Sequence, residues 1–295
     1  GHAWRGAMGA GLIADAGLFR LIDAAVYAFH MPLFFFLSGL LFLDAIKKHK
    51  TVGLLRGRLT RLLWPMVLWT WLFFGLKLIA GPEANSPVTI ADFPLIPLPP
   101  YEHLWFLWAL FLCHSILILL YSLVPKDIDD DRWRIGAAIV AVSMVLLSSS
   151  IFVPSLIWGP MIEHAPYFLV GIAAGGYLTV WPSLWVTLFC AMGFLTLLML
   201  VQGGKASVPH SMALLLLGWG MWVGVDRILE STSSPLAILG DLGRASMVIY
   251  LCHTAFTAAT RIGMVRLGVD SLEVVMIATV LAGLVLPLVL LWCAR

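Results

Sequence analysis

The chain has 295 residues, of which 61% are hydrophobic and 12% charged, and a formal net charge of +2. A soluble domain of this size sits nearer half apolar and a quarter charged, so water is excluded as the main solvent of a compact monomer. The small net charge gives no ground for a nucleic-acid partner. The cysteines, Cys113, Cys190, Cys252 and Cys293, lie in apolar runs without metal or disulfide spacing and read as packing residues.

A bilayer crossing takes about 20 apolar residues. Runs of that kind fall near 24–45, 60–80, 104–124, 135–153, 164–181, 183–202, 208–228, 244–262 and 273–293. The expected fold is therefore all-α, a polytopic membrane helical bundle with about nine visible spans over one domain, 1–295. Ahead of the first run, "GHAWRGAMG" reads as the outer end of a helix whose start lies upstream, which brings the expected total to ten.

The first run contains "FHMPLFFFLSG", Phe29 to Gly39. A histidine in lipid is costly and marks function by default. Pro32 cannot donate to the Ala28 carbonyl, so a bend beside His30 and a carbonyl free to orient its ring are expected. Ser38 and Gly39 offer a small surface for a neighbouring helix. His2 gains interest from His30: two imidazoles at similar depth suit proton transfer near neutral pH.

The loop after this run carries Lys47, Lys48, Lys50, Arg56, Arg58 and Arg61 against Asp44, which sets it on the cytoplasmic side. Arg58 and Arg61, at i and i+3, share a helix face at the inner mouth of the next span. They serve topology alone or clamp phosphate, for which arginine is best built. The Pro-rich connection "GPEANSPVTIADFPLIPLPPYEH" then lies outside. His103 and Trp105 in "YEHLWFLWALF" read first as an interfacial aromatic belt. "KDIDDDRWR" reads as a solvated inner turn without metal-ligand spacing. "IEHAPYFLVGIAAGG" reads as helix packing, with Glu163 near a helix N-terminus. Tyr250 and His253, at i and i+3 in "SMVIYLCHTAF", form a structural pair or a contact behind the site.

"GHA", "FHMPLFFFLSGLLF", "RLTRLLWP", "HLWFLWAL" and "LGRASMVIYLCH", in this order, resemble the membrane acyltransferase 3 family. The resemblance runs through nearly the whole chain, and "FHMPLFFFLSG" is its specific part. It implies a cytoplasmic acetyl-CoA or other acyl-CoA donor and a carbohydrate or cell-envelope glycan hydroxyl as acceptor. It also implies a multi-pass protein of a bacterial inner or plasma membrane. It makes His2 and His30 catalytic and links Arg58 and Arg61 to CoA. Ser38, His103, Trp105, Tyr250 and His253 are expected around the substrate pocket or just behind it, and no metal is expected. The arginine that the family carries at the start of the first helix has no counterpart here. His30 to Ile46 spans 16 residues, roughly 24 Å of helix, comparable to a pantetheine arm. The rival expectation is a multi-pass transporter of a lipid-linked sugar or polysaccharide, lining its path with the same polar residues.

Overall fold

A computed structural model describes residues 2–9, 11, 13, 17–84, 86–125, 128–150, 153–175, 183–201, 206–230, 236–269 and 271–293. Among these residues the structure is all helical. In chain order the helices are α1 (His2–Gly9), α2 (Gly17–Leu40), α3 (Phe42–Lys48), α4 (Thr51–Arg58), α5 (Trp64–Ala80) and α6 (Trp105–Leu123). There follow α7 (Asp130–Leu147), α8 (Gly159–Ala174), α9 (Leu184–Met199), α10 (Val208–Glu230), α11 (Leu236–Arg266) and α12 (Leu272–Cys293).

Among the described residues, five helical stretches are long and apolar enough to cross a membrane: Arg20–Lys48, Thr51–Glu83, Glu102–Leu123, Gly243–Arg266 and Leu272–Cys293. Each overlays one of the nine runs read from the sequence. Leu184–Met199 and Val208–Gly224 are apolar but shorter. Helix α7 opens on Asp130, Asp131, Arg132 and Arg134, and α8 is only 16 residues long, which is why length and composition do not mark these two as spans. Large apolar side chains stand outward along the candidate spans, Ile79 84% exposed and Trp292 77% exposed among them. That surface suits lipid, and water would penalise it.

The chain divides into two compact units. The larger comprises 24–70 and 96–228. Its centre is the crossing of α2 and α8. A Cβ on Gly39 would stand 1.9 Å from the Phe168 carbonyl oxygen, and one on Gly171 would stand 2.1 Å from that of Phe36. Only glycine lets the two backbones touch there. Phe35, Phe36, Phe42 and Phe168, each 1% exposed or less, fill the flanks of the crossing. At the far end of α3, Lys47 pairs with Asp130 at the start of α7. The acidic run read as a solvated turn is in fact used locally. Asp129 caps α7 by accepting from the Arg132 backbone N–H at 2.8 Å, and Asp131 pairs with Arg134 at 2.9 Å.

The smaller unit comprises 1–23, 71–95 and 229–295. Helices α11 and α12 pack lengthwise, and α1 lies against both. The segment after α5 is held by polar contacts. Trp71 Nε1–H donates to the Pro94 carbonyl at 2.9 Å. The Thr89 backbone N–H and hydroxyl each donate to Asp92 Oδ2 at 2.8 Å, and these bonds hold the Asp92 carboxyl below its usual range. Arg266 pairs with the Glu83 carboxylate at 2.8 Å, and Arg261 Nη2–H donates to the Glu83 carbonyl at 3.3 Å. Arg5 pairs with Asp23 at 2.6 Å.

Candidate functional site

Helix α2 runs unbroken through Pro32 from Gly17 to Leu40. The half-buried His30 ring is oriented by a carbonyl, but not by the one that Pro32 releases. Its Nδ1 lies 2.9 Å from the oxygen of Val26, one turn upstream. A carbonyl only accepts, so Nδ1 carries the proton and a neutral ring presents Nε2 as the basic nitrogen. Tyr27 and Phe34 set their rings edge-on to it, with centroids at 5.1 and 6.2 Å.

Helix α8 repeats the device in the same unit. "HAP", His164 to Pro166, matches "HMP", His30 to Pro32, and His164 Nδ1–H donates to the Pro160 carbonyl at 2.9 Å. The His164 ring is 9% exposed. It lies against Phe35 at 4.9 Å and Trp105 at 5.1 Å between centroids.

A cavity of about 370 Å3 opens beside it. Tyr27, Met31 and Pro32 of α2, Trp105 of α6, and Glu163, His164 and Tyr167 of α8 form its walls. Pro100, Glu102, Leu156 and Ala206 come from connections assigned to the outer side by the distribution of Lys and Arg. Tyr27 lines the cavity and touches the His30 ring, so one aromatic ring separates the two. Glu102 at the rim holds φ at 49°, a left-handed conformation that non-glycine residues rarely keep.

The basic end of this unit is built around a π turn, Leu59–Leu63. Pro65 cannot donate to the Arg61 carbonyl, and the Trp64 N–H reaches back to Leu59 instead. The two arginines end up unlike. Arg61 is exposed, while Arg58 is half-buried with its Nε enclosed and without a hydrogen-bond partner. Arg58 acts electrostatically on His114, a residue passed over in the sequence. His114 is 3% exposed, its Nδ1 has no partner, and it is wedged between Phe42 at 6.0 Å and Phe168 at 4.9 Å. A histidine inside "ALFLCHSILILL" is the signal that singled out His30.

The remaining expected residues divide between the units. Trp105 lines the cavity. His103, one turn before the α6 core and 9% exposed, and half-buried Ser38, beside the α2–α8 crossing, belong to the same unit but not to the cavity wall. Trp108 holds the connection before α8 through Nε1–H to the Ile157 carbonyl at 3.0 Å. In the smaller unit, the rings of Tyr250 and His253 lie 6.4 Å apart, and His253 Nδ1–H is shared between the carbonyls of Ile249 and Tyr250. His2 opens α1; its side chain lies outside the described residues.

A family model described as an acyltransferase domain matches residues 1–294. The chain is 28% identical over 149 residues to nodulation protein NolL of Mesorhizobium japonicum, an alignment that takes in 50% of this chain and 36% of that protein. The match therefore spans about a third of the relative's length. No solved structure matches the chain.

Proposed function

Because the chain belongs to the acyltransferase 3 family, we propose that it is a membrane O-acyltransferase. It moves an acetyl or other short acyl group from cytoplasmic acyl-CoA to a hydroxyl of a carbohydrate or cell-envelope glycan. On this reading it has nine or ten spans and sits in a bacterial inner or plasma membrane. The observation that carries the reading is the His30 ring, held inside a membrane helix with Nδ1–H on the Val26 carbonyl, so that Nε2 is its basic nitrogen.

The chemistry divides along the membrane normal. Arg58 and Arg61 hold the CoA phosphates at the basic mouth. The pantetheine arm carries the thioester up between the helices. The acceptor hydroxyl oxygen bonds to the acyl carbon, the carbon–sulfur bond breaks, and CoA leaves as a thiolate. An imidazole takes the hydroxyl proton and returns it to that thiolate. His30 is the group that the geometry supports for this role; His2 is the second imidazole that the family resemblance names. A hydrogen-bond donor beside the acyl oxygen stabilises the tetrahedral intermediate.

The test is purified full-length protein in liposomes with labelled acetyl-CoA and a membrane glycan extract. Label should move to the extract with the intact chain and fail to move with His30→Ala at equal folded yield. Binding of acetyl-CoA should weaken in Arg58→Ala/Arg61→Ala. Undiminished transfer by His30→Ala would end the assignment.

A further inference from the structure

The larger unit holds a second cavity, of about 570 Å3, between α6, α7 and α8. It is a groove because α6 and α7 each pack on α8 more than on one another. On α7 its lining runs from Arg132 to Met144, 12 residues or roughly 18 Å of helix. The distribution of Lys and Arg sets Arg132 on the cytoplasmic side. The groove therefore starts at the inner surface and ends just past the middle of a hydrocarbon core about 30 Å thick. Its wall is apolar, with Gly136, Ala137 and Ala165 keeping it open and Met144 and Met161 adding adaptable thioethers. A Cβ on Gly136 would meet nothing within 4 Å. Near the inner end the Trp133 and Tyr121 rings lie 5.1 Å apart between centroids, an aromatic pair at interface level. The acids beside Arg132 are engaged: Asp129 accepts from its backbone N–H, Asp130 pairs with Lys47 and Asp131 with Arg134. The Arg132 guanidinium is exposed and makes no ion pair among the described residues.

We propose that this groove holds one acyl chain of a membrane phospholipid from the inner leaflet, with the lipid phosphate on Arg132. The inference goes beyond the acyltransferase reading and shares with it only the placement of α6, α7 and α8 across the membrane. Three features select this occupant. The first is the wall, which offers a hydrocarbon chain close contact and would strip a sugar or nucleotide of its hydrogen bonds. The second is length. One leaflet supplies about half of the 30 Å core, roughly 15 Å, so a chain anchored at the inner surface runs most of the way along the groove. The third is charge: a guanidinium is best built for bidentate contact with phosphate, and it stands where the inner-leaflet headgroups lie. The groove can be filled sideways from the bilayer, since Ile135, Ile139 and Leu146 stand exposed along the same helix. Its volume is within the range of ligand pockets, roughly 300–1,000 Å3. Phe168 lines the groove and also packs on Phe42 and His114, so the bound chain lies one ring away from the α2–α8 crossing.

The experiment is native mass spectrometry of the purified full chain, stripped of lipid in detergent and titrated with dioleoyl phosphatidylglycerol or dioleoyl phosphatidylethanolamine. Dioleoylglycerol, which has the same chains without phosphate, is the comparison. At least one phospholipid should be retained, one per chain, and should raise the thermal midpoint. Dioleoylglycerol should bind about tenfold or more weakly, as expected for the loss of charge-assisted bonds. Gly136→Leu, which fills the groove from a position with nothing within 4 Å of its Cβ, should abolish retention. Arg132→Gln, at an exposed position, should bring the phospholipid down to the level of dioleoylglycerol. Ile135→Phe, which adds bulk to α7 outside the groove, should change neither. No retention by the intact chain, full retention by Gly136→Leu, or an equal loss in Ile135→Phe would overturn the groove as the site. Equal binding of phospholipid and dioleoylglycerol, or no change in Arg132→Gln, would overturn the phosphate contact. None of these samples contains acetyl-CoA, so each outcome stands apart from the acyltransferase reading.

Discussion

The two ends of the larger unit are chemical opposites. The outer end gathers Glu102, Glu163, Trp105 and Tyr27 around a cavity. The inner end gathers Lys47, Arg56, Arg58 and Arg61 around a π turn. Outer-side cations of the smaller unit are tied up, Arg5 on Asp23, Arg261 on the Glu83 carbonyl and Arg266 on the Glu83 carboxylate. Arg58, by contrast, makes no hydrogen bond or ion pair among the described residues, and its Nε is enclosed. An enclosed, unsatisfied guanidinium nitrogen is costly, and a phosphate ligand would remove that cost. The contrast teaches that charge on these cations of the smaller unit serves to hold structure, and that at Arg58 and Arg61 it is left available. The helix pair carrying His30 and His164 lies toward the outer end.

The largest expected effect breaks the chemistry outright. His30→Ala should cut acyl transfer by about 10²–10⁴-fold, the usual share of general base catalysis, with folded yield unchanged. Loss of yield instead would make His30 a packing residue. The next separates packing from chemistry. Gly171→Ala places a Cβ 2.1 Å from the Phe36 carbonyl and should destabilise the larger unit by about 1–3 kcal/mol or more. Gly136→Ala, where nothing lies within 4 Å of the new Cβ, should stabilise α7 by roughly 0.5–1 kcal/mol. Equal thermal midpoints for the two variants in detergent would contradict the close crossing.

The arginines sharpen the comparison of the two ends. Arg58→Ala/Arg61→Ala should raise KM for acetyl-CoA about tenfold or more, consistent with the loss of charge-assisted bonds worth roughly 1.5–3 kcal/mol, and change kcat little. A fall in kcat at constant KM would move these residues from binding to catalysis.

Much of this contrast is legible in the sequence, and the reasons for the gaps are physical. Apolar length fixes a span whatever its neighbours do, so 244–262 and 273–293 land on Gly243–Arg266 and Leu272–Cys293. The basic loop after Asp44 is equally plain, since Lys and Arg sort by side without tertiary help. "EHAPYFLVGIAAGG" reads correctly as packing through Gly171, yet that reading hides His164, whose value comes from Trp105 and Glu102, roughly 60 positions away in the chain. A cavity assembled from three helices and several connections leaves no local pattern. The π turn is hidden for another reason: Pro65 announces a disturbance, but which carbonyl the next N–H finds depends on packing. His114 was readable by the rule applied to His30, and its place between Phe42 and Phe168 is something that spacing does not reveal.

The smallest expected effects lie in exposed polar contacts. Lys47→Ala removes an exposed ion pair with Asp130 and should cost less than about 1 kcal/mol; a larger loss in a detergent melt would mean that the α3–α7 contact anchors the inner end. Asp92 titrates with a lowered pKa because the Thr89 N–H and hydroxyl favour its charged form. Its contribution is present in full above the ordinary value of 3.8 and lost as pH falls through the lower folded-state value. Asp92→Asn should remove that acid-side dependence from the outer connection, read by proteolysis between Pro82 and Pro100, and leave transfer at neutral pH unchanged.

One measurement bears most directly on acyl transfer at His30. Purified protein is reconstituted in liposomes, labelled acetyl-CoA is supplied on the side of the basic loop, and label is counted on glycan held at the opposite face. The intact chain should acylate the glycan, and His30→Ala, equally folded, should leave it unlabelled. Equal labelling by both would contradict the account.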